Sequence, residues 1–359
     1  MRKYTPFLKL KANEVAALGA LSPATLGRIT PFFDLPLKPG MDEEIFCKMV
    51  DKAARKIVRA IGNERAFYLD TFDIPDEISV QGSSLFYYVA DKFKDTFFMP
   101  TVGLDREPDH TASVLACKAI GLIKSEIFAL RLLESDFESF AAAKGEIAEV
   151  LNQMMAGGFK KCILILDMRF CLDANPLDLA NLIEPFLTSS LTTFDIHEIV
   201  VTGSSIPVKI SALAGTNQEI DSARAELGVF AILHANFVHK IMGFGDYTII
   251  SPFYTDVDIA PEVLQNIMAP KIVYSYDDHH FIARGGALKT HPRGSFQYND
   301  IAGVIVAKPY FRKANYSFGE NYLIEKSMML GKKSTPSSIL KPTICAHITY
   351  MVNDHPLFV

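Results

Sequence analysis

Hydrophobic and polar positions alternate along this chain in a repeated order that is clearest at 160–169. There Lys160 and Lys161 hand over to five consecutive apolar residues, which stop abruptly at Asp167. A short apolar run with polar ends predicts a strand buried on both faces. The stretch before it, 137–156, has helical spacing and closes on Gly157-Gly158, a helix stop. After it, Asn175-Pro176 opens another amphipathic segment reaching Ser190. The local order is therefore helix, buried strand, polar tip, helix, and the pattern predicts about eight such cycles.

The predicted elements begin with a leading strand or extended arm at 4–10 and a short helix at 13–21. Barrel strands are then expected at 29–34, 66–70, 97–103, 127–132, 160–169 and 198–202, with a seventh at 246–251. A long helix is expected around 218–242, with 252–256 as the exit of the seventh strand. The eighth cycle is less regular: 271–276 and 281–284 flank Asp277-Asp278-His279-His280 like a hairpin, and either arm could close the barrel. Eight cycles favour a (β/α)8 TIM-like barrel over an open doubly wound sheet, whose glycine-rich first turn Phe33-Asp34-Leu35-Pro36 cannot provide. The expected organisation is a barrel with an N-terminal arm over 1–294 and a helical C-terminal extension, 295–359, packed on it.

Bulk properties narrow the class. The chain has 359 residues, 49% of them hydrophobic, which is material for a large core and excludes disorder. A net charge of −5 is mild and argues against a surface devoted to nucleic acid, although a local basic cleft stays open as a reading. Five cysteines without Cys-x-x-Cys spacing suggest buried free thiols in a reducing compartment. The N-terminal residues lack the apolar core of a signal peptide, and no later run is long enough to span a bilayer, so a cytoplasmic protein without membrane association is expected.

Several stretches together resemble the bacteriophage beta-protein family. They are Tyr4-x-Pro6-x-Leu8-Lys9, Glu14 with Leu18, Pro31-Phe32-Phe33-Asp34, Arg224-Ala225-Glu226, Gly245-Asp246-Tyr247, Tyr274 followed by Arg284-Gly285, and His347. Their order and spacing carry the likeness over nearly the whole chain. Members of that family often carry tryptophan after the Arg-x-Glu, before the Arg-Gly and before the final histidine. This chain has no tryptophan, and Phe230 and Phe281 stand at two of those places. The resemblance implies a role in phage–host conflict and supplies no reaction or cofactor.

In an α/β barrel the active site lies at the carboxyl ends of the strands. The expected rim comprises Asp34, Asp70, Asp73, Asp105, Arg106, Arg131, Asp167, Arg169, Ser204 and Ser205. Asp70, Asp105 and Asp167 are the candidate acids, bases or metal-facing groups. Arg106, Arg131 and Arg169, with Ser204, Ser205 and Arg284, are the candidate ligand contacts. Such a ring suits an anionic, nucleotide-like or phosphorylated molecule that the protein binds and could hydrolyse. The same aspartates and arginines would equally serve as ion pairs neutralising one another, and Gly203-Ser204-Ser205 as an ordinary turn.

The Arg284–Arg293 stretch is the most basic local run and could meet phosphates or simply be solvated. Arg224 and Glu226, two apart, are expected on different sides of a helix, and Asp246 at the amino end of its strand, in a structural role. Neither His279-His280 nor His234 and His239 has a zinc spacing, so no metal is predicted. The competing function class is a non-catalytic scaffold that recognises a phage or host protein, or a nuclease partner, through the C-terminal extension.

Overall fold

The computed structural model describes residues 4–75, 77–237, 242–253 and 268–358. In chain order its main strands are β1 Tyr4–Lys9, β2 Phe32–Asp34, β3 Ala66–Asp70, β4 Phe97–Val102, β5 Ile127–Leu133, β6 Lys161–Phe170, β7 Glu198–Ser204, β8 Gln218–Ala223, β9 Met242–Asp246, β10 Lys271–Tyr276 and β11 His279–Arg284. All but β8, β10 and β11 pair in parallel and close into an eight-stranded barrel. The closing seam is β1, which pairs with β2 on one side and with β9 on the other. Helices surround it, and the fold is the expected (β/α)8 architecture with additional C-terminal helices.

Three sequence expectations need correction. The segment at 4–10 is the first barrel strand rather than an arm, so 29–34 supplies the second. The barrel is closed by Met242–Asp246, and neither arm of 271–284 takes part. Those arms, β10 and β11, form an antiparallel sheet with β8 outside the barrel, in a region expected to begin a long helix. The helix itself is shorter, Ala225–Asn236.

Alternation along the strands sorts side chains into two compartments. Phe7, Phe32, Tyr68, Met99, Ala129, Ile163, Ile165, Val200 and Tyr247 fill the barrel lumen. Their neighbours, such as Leu8, Phe33, Leu69, Leu130, Leu164, Leu166 and Phe244, face the surrounding helices in the main core. Phe7 lies against Phe32, ring centroids 4.3 Å apart. Gly245 makes room for it, since a Cβ there would stand 2.6 Å from the Phe7 ring.

Helices α1 Ala12–Leu18, α2 Glu43–Ile61, α3 Leu85–Phe93, α4 Pro108–Ala119, α5 Phe140–Ala156, α6 Pro176–Thr193 and α7 Ala225–Asn236 precede α8 Gln297–Val306, α9 Phe318–Ser327 and α10 Leu340–Asn353. A separate apolar cluster joins the outer sheet to this last group. Ile272, Tyr274 and Phe281 pack with Tyr298, Ile305, Leu323 and Ala346.

Glu14 on α1 is buried, and its Oε2 accepts the Lys9 N–H at 2.6 Å. Burial pushes its carboxyl up to about 7, with the Lys9 hydrogen bond opposing. The folded chain thus holds a proton that the unfolded chain releases from about pH 4.5 upward, so this contribution is lost as pH rises from there through about 7. Glu14→Gln, which keeps the acceptor, should therefore stabilise the protein at pH 8 by about 3 kcal/mol. The gain should vanish near pH 4.5, as checked by urea denaturation at both pH values.

Candidate functional site

The lumen pattern changes at the carboxyl end of the barrel. Two residues beyond Phe7, Phe32, Tyr68, Ala129 and Ile165 stand Lys9, Asp34, Asp70, Arg131 and Asp167, all buried. Arg131 is 1% exposed, and each of its five N–H groups has an acceptor. Nη1 donates to Asp34 Oδ1 at 2.9 Å and to Asp70 Oδ2 at 2.8 Å. Nε and Nη2 donate to Asp167 Oδ2 at 3.0 and 2.6 Å, and Nη2 also donates to the Tyr247 hydroxyl at 2.8 Å. That hydroxyl in turn donates to Asp167 Oδ2 at 2.5 Å.

Burial works against charge here, but pairing outweighs it. Tyr247, Asp34, Asp167 and Asp70 hold the Arg131 pKa above its ordinary value. Lys9 and Arg131 likewise hold the Asp34 carboxyl well below the usual range. The strand-ending aspartates also shape the chain. Asp70 Oδ1 accepts the Phe72 N–H at 3.0 Å, Asp167 Oδ1 the Arg169 N–H at 2.8 Å, and Asp246 Oδ1 the Thr248 N–H at 2.8 Å. Asp70 and Asp246 therefore cap the turns by which β3 and β9 leave the barrel, while Asp167 braces the irregularity between itself and Phe170 inside β6. Arg169 and Thr248 sit in the left-handed region at φ 53° and 57°.

Above this layer lies a more open rim. Lys9 pairs with Asp34 at 3.2 Å and with Asp73. Burial and the nearby Asp34 push the Asp73 carboxyl up, with Lys9 opposing. Arg106 donates to Asp70 at 2.9 Å and pairs with Asp105. Phe72 carries three guanidiniums on its ring, those of Arg106, Arg131 and Arg169, at 4.7, 4.9 and 4.8 Å. Arg169 also lies 4.9 Å from the exposed Phe253 ring and donates to the Pro252 carbonyl at 3.3 Å. Arg106 Nε and Arg169 Nη1 are buried atoms with no acceptor among the described residues. A cavity of about 340 Å³ opens beside Arg106, lined by Phe72, Asp105, His110, Ser83 and Ser84.

The structure thus gathers Asp70, Asp105, Arg106, Arg131, Asp167 and Arg169 around one mouth, with Asp34 and Asp73. The other candidates are taken up by partners within the protein. Ser204 Oγ donates to the Ile250 carbonyl and accepts the Ile206 N–H, while Ser205 Oγ donates to Glu226 and accepts the Ala225 N–H. Arg284 ends β11 on the outer sheet and donates to the Ala214 carbonyl. Sequence reasoning missed Lys9, Phe72 and Tyr247 as site residues. Period-two spacing from Phe7 would have found Lys9 had 4–10 been taken as a barrel strand. Tyr247 was hidden by starting its strand at Asp246 instead of ending it there.

That shift also moves Asp246 to the carboxyl end of β9, with its side chain outside the lumen. There Arg224 donates from Nε to Glu226 Oε1 at 2.9 Å and from Nη2 to Asp246 Oδ2 at 2.5 Å. Arg224 and Glu226 do not splay apart, because Arg224 is the extended N-cap of α7 rather than a helical residue. The Tyr4 hydroxyl donates to Asp246 Oδ1 at 2.6 Å, and His347 Nε2 lies 3.1 Å from Asp246 Oδ2.

With Nε2–H directed at that carboxylate, His347 Nδ1 accepts from Ser275 Oγ at 2.6 Å, and Ser275 accepts from His280 Nδ1 at 3.0 Å. His280 Nε2 is then a bare lone pair, in keeping with its lack of a partner among the described residues. Burial pushes both histidines below the ordinary imidazole value, with Asp246 opposing at His347.

Tyr4, Arg224, Glu226, Asp246 and His347, scattered through the sequence, therefore meet in one buried network. A model of the Beta protein family matches residues 4–353, nearly the whole chain. The chain belongs to the Beta protein family. No curated protein and no solved structure matches it. Of the residues by which the sequence resembles that family, Lys9, Asp34 and Tyr247 stand at the mouth, and the five just named stand outside it.

Among the described residues, no group of three or more His, Cys, Asp or Glu side chains is arranged to hold a metal ion, and no helix is long and apolar enough to cross a membrane. His239 and Asp256 lie outside the described residues.

Removing the Arg131 guanidinium would leave three buried carboxylates facing one another. Arg131→Ala should cost at least about 3–5 kcal/mol, and Arg131→Lys should not restore the loss, since an ammonium has three donors where five are used. Urea denaturation of both variants checks this.

Proposed function

We propose that the rim of the barrel mouth binds an anionic, nucleotide-like ligand, with the Arg131 cluster as a rigid floor beneath it. The observation that carries this reading is the pair of arginines on Phe72. Arg106 and Arg169 each stack on that ring and each keep a buried N–H without an acceptor among the described residues. A buried, unanswered N–H is costly, and a phosphate or carboxylate oxygen would answer it. Exposed Phe253 beside Arg169 offers a flat apolar surface of the kind on which a base stacks. The neighbouring cavity, about 340 Å³, matches a small molecule rather than a polymer.

Hydrolysis would need a carboxylate free to take or give a proton. Asp70 and Asp167 are committed to Arg131 and to the backbone N–H groups beyond them, so neither is free for that work. Asp105 and Asp73, both on the rim and partly exposed, are the better placed acid–base groups, and the raised pKa of Asp73 suits that work.

The complete pairing of Arg131 favours a second reading, a non-catalytic module that recognises a phage or host protein or a nuclease partner in phage–host conflict. The two readings separate by native mass spectrometry of gently purified protein, with and without added nucleotides. Wild type should retain an anion that Arg169→Ala loses, with urea denaturation of the variant confirming that it is folded. A wild-type protein that holds no small anion under any of these conditions would leave the recognition module as the surviving reading.

A further inference from the structure

A larger cleft, about 820 Å³, lies between α1, α2 and the segment leading into α10, apart from the residues that line the mouth cavity. Its rim carries Lys11, Lys38, Lys52, Lys56 and Lys289, and Glu14 is the single acid among the described lining residues. No described residue forms a salt bridge with Lys38, Lys52, Lys56 or Lys289.

Lys52 and Lys56 stand one turn apart on α2, a spacing at which like charges repel. One turn earlier on the same helix, Lys48 is answered by Glu44, and Lys92 elsewhere is answered by Asp51. Burial, and then repulsion from Lys52 and Lys38, push the Lys56 ammonium down. The three ammoniums therefore sense one another across the cleft, and among the described residues none of them has an acid paired with it. Clustered, unneutralised cations cost the folded chain free energy unless an anion joins them.

The cleft is also apolar in part, with Met49, Ala53, Leu288 and Leu340 among its walls. Asn13 on α1 donates to Ser337 Oγ at 2.6 Å, which ties one wall to the other. A lysine rim over an apolar wall suits a molecule with several phosphates at one end and a flat organic body at the other.

We propose that this cleft is a second binding site, for a nucleoside carrying two or more phosphates. It is independent of the mouth in its residues. Lys9 connects the two places, since its ammonium pairs with Asp34 and Asp73 at the mouth while its backbone N–H is held by Glu14 in the cleft wall.

The test is calorimetric titration of the full chain with ATP and, separately, with inorganic triphosphate. Wild type should bind ATP, more weakly as salt rises, and triphosphate about tenfold less well. The double variant Lys52→Glu with Lys56→Gln should lose at least about tenfold in affinity for ATP. Lys38→Glu, on a loop rather than on the helix, should do the same and guards against a folding defect in the helix variant. Arg169→Ala should leave this affinity within about twofold.

Absence of ATP binding by wild type at about 1 mM overturns the proposal. So does retention of affinity by both lysine variants, or its loss in Arg169→Ala, which would assign the binding to the mouth. Equal affinity for triphosphate and ATP overturns the nucleoside part.

Discussion

One guanidinium organises the centre of this molecule. The carboxyl end of the barrel brings Asp34, Asp70 and Asp167 to a common point inside the lumen, and such a trio could not stay ionised away from water. Arg131 resolves the conflict by placing a planar cation among them and using every one of its five donors. The geometry is demanding, because the strands must be in register for the donors to reach. The Leu8–Phe33 and Phe33–Leu69 pairings of β1, β2 and β3 set that register from the apolar side. Polar satisfaction above and aromatic packing below thus specify the same arrangement.

The second buried network does for the outside of the barrel what Arg131 does for the inside. Asp246 and Tyr247 are adjacent, and the alternation at the end of β9 sends one to each cluster. A displacement of that strand by one residue would exchange them and break both. Through Asp246 the barrel is joined to α7 by Arg224, to the outer sheet by Ser275 and to α10 by His347. The Ser275, His347 and Asp246 sequence has the order of a hydrolytic relay, yet all three are buried, so its role is to hold the outer sheet and α10 to the barrel.

Much of this was legible in the chain. Buried strands showed as apolar runs, and the aspartates that end them showed as abrupt stops, because a strand that must turn at the barrel mouth needs a side chain able to cap the turn. Asp70, Asp167 and Arg131 were placed correctly at a shared mouth for that reason. The frame was off by one strand at the seam. Residues 4–9 mix Thr, Pro and a lysine, and Met242–Asp246 alternates glycine with bulk, so neither has the plain apolar signature of β6. Residues 271–284 do have strand character, and nothing local distinguishes an outer hairpin from a closing strand. The Arg224–Glu226 contact was invisible for a different cause: it depends on Arg224 being a cap, which tertiary packing decides.

The Tyr4–His347 contact sets a temporal order on assembly. The two residues are 343 positions apart, and Tyr4 also lies against Phe358, ring centroids 5.9 Å apart. Because β1 is the seam, it cannot find its second neighbour β9 until residue 246 has been made, nor its histidine until residue 347 has. At ordinary rates of synthesis that wait is on the order of tens of seconds. Throughout it β1 can pair with β2 alone, and its other edge stays open.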